Sequence, residues 1–325
     1  MAFSADQLLE KVNTYLATMP YVREPKGLYA PIEYVLSLGG KRIRPVLMLL
    51  SYQLYKENVD DILPQAAGIE TYHNYTLLHD DLMDCADMRR NKPTVHKVWD
   101  ENTAILSGDA MLVLAYRLMN NCPERYLKQV MDIFSQTALE ICEGPQWDME
   151  FETRNDVTVP EYMEMIRLKT SVLLSAALKI GAVLGGASED DARKLYDFGI
   201  KMGLAFQLQD DYLDVYGDSK VFGKNIGGDI LCNKKTFMLI NALALADGIQ
   251  RKELEKWIAS TAFCPEEKIK AVTALYDKIG IGGICEEKIN AYYVEGLSLL
   301  ESMAVPSERK EELKSFVCHL MNRKV

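Results

Sequence analysis

"DARKLYDFGIKMGLAFQLQDDYLDVYGD", Asp191 to Asp218, sets Leu195, Phe198, Met202, Ala205, Leu208 and Val215 three, four or seven residues apart. That spacing gathers apolar side chains on one face of an α-helix. The same period runs through "RPVLMLLSYQLYKEN" (44–58), "DAMLVLAYRLMN" (109–120) and "RYLKQVMDIFSQTALEIC" (125–142). No proline falls between Pro160 and Pro265, so long uninterrupted helices are permitted there. Strict apolar–polar alternation is hard to find anywhere, which predicts an all-α chain. No short repeat, low-complexity tract or Ser/Gly/Pro linker divides it, so one helical domain over residues 1–325 is expected.

The chain has 325 residues, 48% hydrophobic and 26% charged, ordinary proportions for a protein with a sizeable core. Acidic residues outnumber basic ones 47 to 37, for a net charge of −10. That balance argues against nonspecific nucleic-acid binding, which needs basic surface. The seven cysteines are scattered and include no C-x-x-C pair, so neither a disulfide framework nor a zinc ribbon is indicated; a reducing, cytoplasmic setting is expected. "MAFSADQLLEKVNTYLATM" reads as an amphipathic helix instead of a signal peptide. The most apolar run, "SVLLSAALKIGAVLGG" (171–186), contains Lys179 and falls short of the roughly 20 residues that span a bilayer. A buried helix, with no membrane span, is expected.

The opening stretch ends in an acidic turn: Asp210, Asp211 and Asp214 among Phe206, Leu208, Tyr212 and Leu213. The same spacing occurs in "HNYTLLHDDLMD" (73–84), where Asp80, Asp81 and Asp84 sit among leucine, methionine and tyrosine. On a helix the first and last members of each triplet share a face and the middle one lies to the side. Either triplet alone could equally be a solvated helix face, since like charges at i,i+4 cost only about 0.2–0.5 kcal/mol. Their apolar company tips the balance, because a carboxylate beside Leu and Tyr is costly without compensation. Oxygen-only ligands on helices suit Mg²⁺, which keeps several waters and shares its remaining shell with substrate phosphate.

Basic loops supply the complementary charge. "LGGKRIRP" (38–45) offers Lys41, Arg42 and Arg44, with Pro45 suited to a helix's first position; it lacks the P-loop pattern. "DMRRNKPTVHK" (87–97) puts Arg89 and Arg90 a few residues past Asp84. Lys169–Thr170 and the loop "GDSKVFGKNIGGDILCNKKT" (217–236), with Lys224, Lys234 and Lys235, complete the set. Singly each is compatible with an ordinary positive turn; together they invite an anion to helix ends.

With these motifs in order along nearly the whole chain, the sequence resembles the trans-type polyprenyl diphosphate synthases, the farnesyl and geranylgeranyl diphosphate synthase family. The signatures are "GGKRIRP", "HNYTLLHDDLMDCADMRRNKPTVH", "LKT", "FQLQDDYLDVYGD" and "GKNIGGDILCNKKT". The resemblance implies an all-α bundle of the isoprenoid synthase type with a central cavity, a homodimer, and chain elongation from isopentenyl diphosphate and an allylic diphosphate. It makes Asp80, Asp84 and Asp210 the principal Mg²⁺ ligands, with Asp81, Asp211 and Asp214 completing the two clusters. Three ions per site are implied, with Mn²⁺ as a substitute. Arg89, Lys169, Lys224 and Lys234 would hold the allylic diphosphate, and Lys41, Arg44, His73 and Arg90 the isopentenyl diphosphate. Thr170 and Gln207 would turn oxygen atoms toward the developing allylic cation. Released diphosphate would take the final proton, in keeping with only four histidines and no Ser/His/Asp arrangement.

Two departures from the family pattern stand out. Pro145 follows Gly144 where many relatives have Gln, with Gln146 one place later, which puts a diphosphate contact there in doubt. Asn233 precedes Lys234 where many have Gly, a change expected to alter loop shape more than chemistry. Down the helix from Asp80, Thr76, Tyr75 and Tyr72 are expected to form the floor that limits the product to C15–C20, with C20 favoured. A class I terpene cyclase would share one aspartate-rich turn but not the second, nor an isopentenyl pocket. A non-catalytic subunit would not need both complete turns.

Overall fold

A computed structural model of the chain describes residues 3–21, 23–217 and 226–321. Of the described residues 79% are helical, as the period of the apolar residues predicts. The helices are α1 (Ala5–Thr18), α2 (Lys26–Ser37), α3 (Ile43–Gln53), α4 (Leu63–Met83), α5 (Val95–Val98), α6 (Glu101–Met119), α7 (Glu124–Thr153), α8 (Val159–Ile166), α9 (Val172–Gly185) and α10 (Glu189–Tyr216). They continue with α11 (Gly228–Leu231), α12 (Phe237–Leu245), α13 (Gly248–Ala259), α14 (Pro265–Ile279), α15 (Ile281–Glu301) and α16 (Ser307–Met321). Local chemistry marks several starts. Capping boxes pair Ser4 with Gln7, Thr158 with Glu161 and Asp247 with Gln250, each satisfying backbone N–H groups that have no helical acceptor.

Contacts divide the chain into two compact units. The first comprises residues 1–136, 176–196 and 303–313; the second comprises 137–175, 197–302 and 314–325. In the first, α3 is buried from Pro45 to Gln53, as expected of a helix apolar on every side. Its Ser51 hydroxyl donates to Leu178 O of α9 at 2.6 Å. A satellite core gathers Ile32, Val35 and Leu36 of α2, Leu78 of α4, and Ala104 and Met111 of α6. The N-terminal segment is the amphipathic helix expected, burying Leu8, Val12 and Leu16.

In the second unit, Tyr162, Met165 and Ile166 of α8 pack with Leu204, Leu208 and Val215 of α10. Phe237 and Met238 of α12, Leu254 of α13, and Val272, Leu275 and Tyr276 of α14 extend this core.

Two features differ from the sequence reading. A two-stranded hairpin, β1 (Met88–Arg89) against β2 (Lys92–Pro93), interrupts the helices. Arg90 and Asn91 at its tip have φ of 51° and 61°, the paired positive angles of a type I′ turn. The apolar run also proves longer than its sequence limits suggest. Through α8 and a π-helical turn at Arg167–Ser171 it extends over Val159–Gly185, 27 residues, long and apolar enough by that measure to cross a membrane. Its most apolar window is 83% buried within the protein, the environment of a core helix.

Candidate active site

In the first unit, Asp80, Asp81 and Asp84 close α4. Asp81 falls three residues after Leu78 and so continues the core-facing stripe; it is 5% exposed. A buried carboxylate needs a partner, and the hairpin supplies it. Arg89 Nε donates to Asp81 Oδ1 at 2.9 Å and Nη2 to the same oxygen at 2.5 Å, with Nε 3.2 Å from Oδ2. Burial pulls the Arg89 pKa down, but the bond to Asp81 and the charges of Asp81, Asp80 and Asp84 outweigh it and raise it. Asp80, whose side chain is 29% exposed, lies 3.9 Å from Arg89, and Asp84, the helix C-cap, is exposed.

Arg44 and His73 meet beside this turn, Arg44 Nη1 lying 3.1 Å from His73 Nε2. Because guanidinium only donates, Nε2 accepts and a neutral ring carries its proton on Nδ1. Burial, then Arg44, Arg90, Arg89 and Arg42, hold the His73 pKa well below its usual value, so the ring is neutral at physiological pH. Burial also lowers Arg44 to about 10. Arg44 Nε is buried without a hydrogen-bond partner, a donor suited to an incoming anion. Arg90 Nη1 donates to Gly39 O and reaches Asn74 Oδ1 at 3.5 Å. Lys41 is exposed on the loop between α2 and α3. Pro45 is the third residue of α3 instead of the first, still within the turn whose N–H groups have no helical acceptor.

The second unit repeats the scheme with different partners. Asp211, three residues after Leu208 on the core stripe of α10, is 3% exposed. The Tyr162 hydroxyl donates to its Oδ2, and Gln207 Nε2 donates to Oδ1 at 3.1 Å. Burial pushes the Asp211 carboxyl up to about 7, despite the Tyr162 hydrogen bond that lowers it. The Thr170 hydroxyl donates to Gln207 Oε1 at 2.9 Å, so Thr170, Gln207, Asp211 and Tyr162 form one chain. Asp214 Oδ2 accepts from the Asp229 backbone N–H at 2.9 Å, and Asp214 O from Gly227 N. Asp210 and Asp214 are half-buried. Lys169 Nζ donates to Asp148 Oδ2 at 2.7 Å. Lys234 lies 3.8 Å from Asp229; burial lowers its pKa, but Asp229, Asp211 and Asp148 more than reverse that. Lys224 lies outside the described residues.

Lys169 and Thr170 belong to the π-helical turn Arg167–Ser171, a distortion common at functional positions. Two glycines make room for it. A Cβ on Gly144 would stand 2.6 Å from Lys169 N, and one on Gly203 2.6 Å from both Ser171 Cα and Oγ. Gly203→Ala is therefore expected to push the turn aside. It should cost about 1–3 kcal/mol in stability and, by misplacing Lys169 and Thr170, on the order of 10²-fold in kcat. Calorimetry with steady-state kinetics checks this; an unchanged Tm with full activity would show that the turn is not held by this contact.

Mg²⁺ needs oxygen donors and room for several waters. Among the described residues, no three His, Cys, Asp or Glu side chains converge closely enough to enclose a metal. Each turn instead presents carboxylates on its outer face beside cationic groups. That suits an ion which retains waters and takes phosphate oxygens, and does not suit a structural zinc cage.

The polyprenyl synthetase family model matches residues 25–276. The chain belongs to this family. It is 41% identical over 273 residues to a short chain isoprenyl diphosphate synthase of Methanocaldococcus jannaschii, covering 84% of this chain and 83% of that one. It superposes on a crystal structure of a geranylgeranyl pyrophosphate synthase with TM-score 0.91 and 44% identity, over 99% of this chain and 98% of that one. A geranylgeranyl pyrophosphate synthase from Corynebacterium glutamicum, complexed with isoprenyl diphosphate and magnesium, matches with TM-score 0.86 and 26% identity, over 99% and 100%. The fold of this polyprenyl synthetase is thus the all-α isoprenoid synthase fold.

Several residues of the synthetase site escape the sequence reading. Asp148 and Tyr162 hold Lys169 and Asp211 from 21 and 49 residues away, and Asp229 stands by Lys234 within the signature "GKNIGGDILCNKKT" without being singled out there; Asp148 lies in "EGPQWD" (143–148), beside the Pro145 departure. In that stretch Gln146 turns to Glu150 on its own helix at 3.0 Å. Asn233 adopts φ 55°, the left-handed conformation that glycine or asparagine tolerates best. Its Oδ1 accepts from the buried Lys268 Nζ at 2.8 Å and its Nδ2 donates to Ile258 O at 3.2 Å. That backbone angle is open to glycine as well as to asparagine, and the asparagine side chain adds two tethers to the loop.

Proposed function

We propose that this polyprenyl synthetase condenses isopentenyl diphosphate with an allylic diphosphate to give a C15–C20 product, with C20 favoured. The observation that carries this reading is the shared architecture of the two acidic turns. In each, the middle aspartate is buried and pinned, Asp81 by Arg89 and Asp211 by Tyr162 and Gln207, which fixes the helix face bearing the first and last. Asp80 and Asp84 on one turn, and Asp210 and Asp214 on the other, would hold Mg²⁺, three ions with Mn²⁺ as a substitute. Mg²⁺ supplies Lewis-acid activation of the departing diphosphate.

This chain's side chains do the rest. Arg89, Lys169, Lys234 and Lys224 bind and orient the allylic diphosphate. Thr170 and Gln207, joined by their hydrogen bond, present oxygen dipoles to the carbon that gains positive charge. Lys41, Arg44, Arg90 and neutral His73 hold isopentenyl diphosphate so that its double bond faces that carbon. No side chain is required as general base, the leaving diphosphate taking the proton. The second DDxxD turn and the Arg44–His73 pair disfavour a terpene cyclase, and both turns being complete disfavours a non-catalytic subunit.

One catalytic domain spanning the chain, cytoplasmic placement and a homodimer are part of this proposal. Ile105, Leu106 and Val113 of α6, 44–60% exposed, give the dimer an apolar surface to cover.

Incubation with Mg²⁺, isopentenyl diphosphate and each of the C5, C10 and C15 allylic diphosphates, followed by sizing of products, tests the assignment. Extension of at least one primer is expected; no extension from any would overturn it, and a cyclised hydrocarbon would favour a cyclase. A bisphosphonate with Mg²⁺ at 100 times its Kd should stabilise the native state by about 2.7 kcal/mol, raising Tm by about 4 °C at this chain length. The rise should vanish when Mg²⁺ is chelated, and a rise that persists would remove the metal from the reading.

A further inference from the structure

Arg42 sits inside "GGKRIRP" yet, unlike its exposed neighbour Lys41, points into the protein. Its guanidinium is buried against Glu70 of α4, Nη1 to Oε1 at 2.7 Å, with the two side chains 3% and 2% exposed. Nη2 donates to Leu36 O, near the end of α2, at 2.6 Å, and Nε to Asn13 Oδ1 of α1 at 3.2 Å. One side chain thus ties α1, α2 and α4 to the loop ahead of α3. The backbone there is unusual: Gly39, Gly40 and Arg42 have φ of 75°, 134° and 46°, and the last is disfavoured for a non-glycine residue unless its surroundings impose it.

The same carboxylate continues to the far side of the pocket. Glu70 Oε1 also accepts from Asn74 Nδ2 at 2.8 Å, and Asn74 Oδ1 is the 3.5 Å neighbour of Arg90 Nη1. Arg90 in turn donates to Gly39 O and lies so close to the loop that a Cβ on Gly40 would stand 2.8 Å from its Cζ. Arg42, Glu70, Asn74, Arg90 and the Gly39–Gly40 backbone therefore form a closed circuit. Lys41 and Arg44 flank Arg42 in sequence, and His73 lies between Glu70 and Asn74 on α4.

We propose that Arg42 and Glu70 are positioning residues for the isopentenyl diphosphate pocket: they touch no substrate, but fix the loop bearing Lys41 and Arg44 and, through Asn74, the guanidinium of Arg90. This rests on the reading of Lys41, Arg44, His73 and Arg90 as that pocket. An ion pair kept only for stability would be replaceable by apolar groups of similar size at no functional cost. A positioning pair is not.

The test uses the full chain and two variants. Arg42→Met/Glu70→Leu removes both charges together and leaves no buried ion unpaired; Asn74→Leu keeps the Arg42–Glu70 pair and removes the bridge from Glu70 to Arg90. Circular dichroism and Tm establish folding, and initial rates are measured with isopentenyl diphosphate varied at saturating allylic substrate, then the reverse. The expected result is a KM for isopentenyl diphosphate raised about tenfold in the double variant and about threefold in Asn74→Leu, with the allylic KM within twofold of wild type. A folded double variant with both KM values unchanged, or both raised equally, overturns the proposal. If the double variant does not fold, Asn74→Leu decides alone, an unchanged isopentenyl diphosphate KM overturning it. Failure of wild type to extend any primer would instead overturn the functional reading, so the two failures are distinguishable.

Discussion

Replacing Asp80 by asparagine is expected to lower kcat/KM by about 10³-fold while leaving Tm within about 1 °C of wild type. Asp80 is partly exposed and pairs with Arg89 across 3.9 Å, and ion pairs at such exposure add little to folding. Its proposed task arises only when a metal–diphosphate is bound and negative charge builds on the leaving group. Loss of one such electrostatic contact typically costs about 10²–10³-fold, and a metal ligand belongs at the upper end. Asp81→Asn makes the contrast: it strips Arg89 of its buried partner, so Tm should fall along with activity. Steady-state kinetics at several Mg²⁺ concentrations, with calorimetry on both variants, separate the two roles. Less than a tenfold loss in Asp80→Asn at saturating Mg²⁺ would mean that this carboxylate is not a ligand.

Tyr75→Ala should shift the main product by one five-carbon unit, from C20 toward C25. Tyr75 is half-buried on α4, between His79 at 4.9 Å and Tyr72 at 5.4 Å between ring centroids. Beneath it Tyr72 is 1% exposed and set edge-on to Phe134 at 5.2 Å, which in turn meets Tyr116 at 4.9 Å. Tyr72 therefore reads as packing that braces Tyr75. Thr76, whose hydroxyl bonds to His73 O at 2.8 Å, stays small beside it. Removing the Tyr75 ring lowers the proposed floor to Tyr72, three residues or about 4.5 Å down the helix. Removing Tyr72 as well should cost a further 3–5 kcal/mol or so, as for a buried aromatic, and risks the fold. Chromatographic sizing of products decides the matter; an unlengthened distribution would place the floor elsewhere.

The helical class is legible because it rests on a local period. Leu204, Leu208 and Val215 announce the buried face of α10 without knowledge of any partner. The acidic turns are legible for the same reason, and their middle members could have been placed inside by extending the stripe from Leu78 to Asp81 and from Leu208 to Asp211. What pins them is less accessible. Arg89 reaches Asp81 because four residues, Met88–Arg89 and Lys92–Pro93, make a hairpin too short for alternation to reveal. Tyr162 lies 49 residues from Asp211 and Asp148 lies 21 from Lys169, separations that no period connects. The length of the apolar helix was hidden by Lys169 and Thr170, whose π-helical turn joins two helices that composition alone keeps apart.

The interior carboxylates bear on engineering. A five-residue DDxxD cassette grafted onto an unrelated helix would carry its central acid into the host's apolar seam with nothing to receive it, and the recipient would unwind or the acid would take up a proton and lose its charge. A portable version has to bring its counterpart along: the arginine ribbon in one case, the phenol and carboxamide in the other.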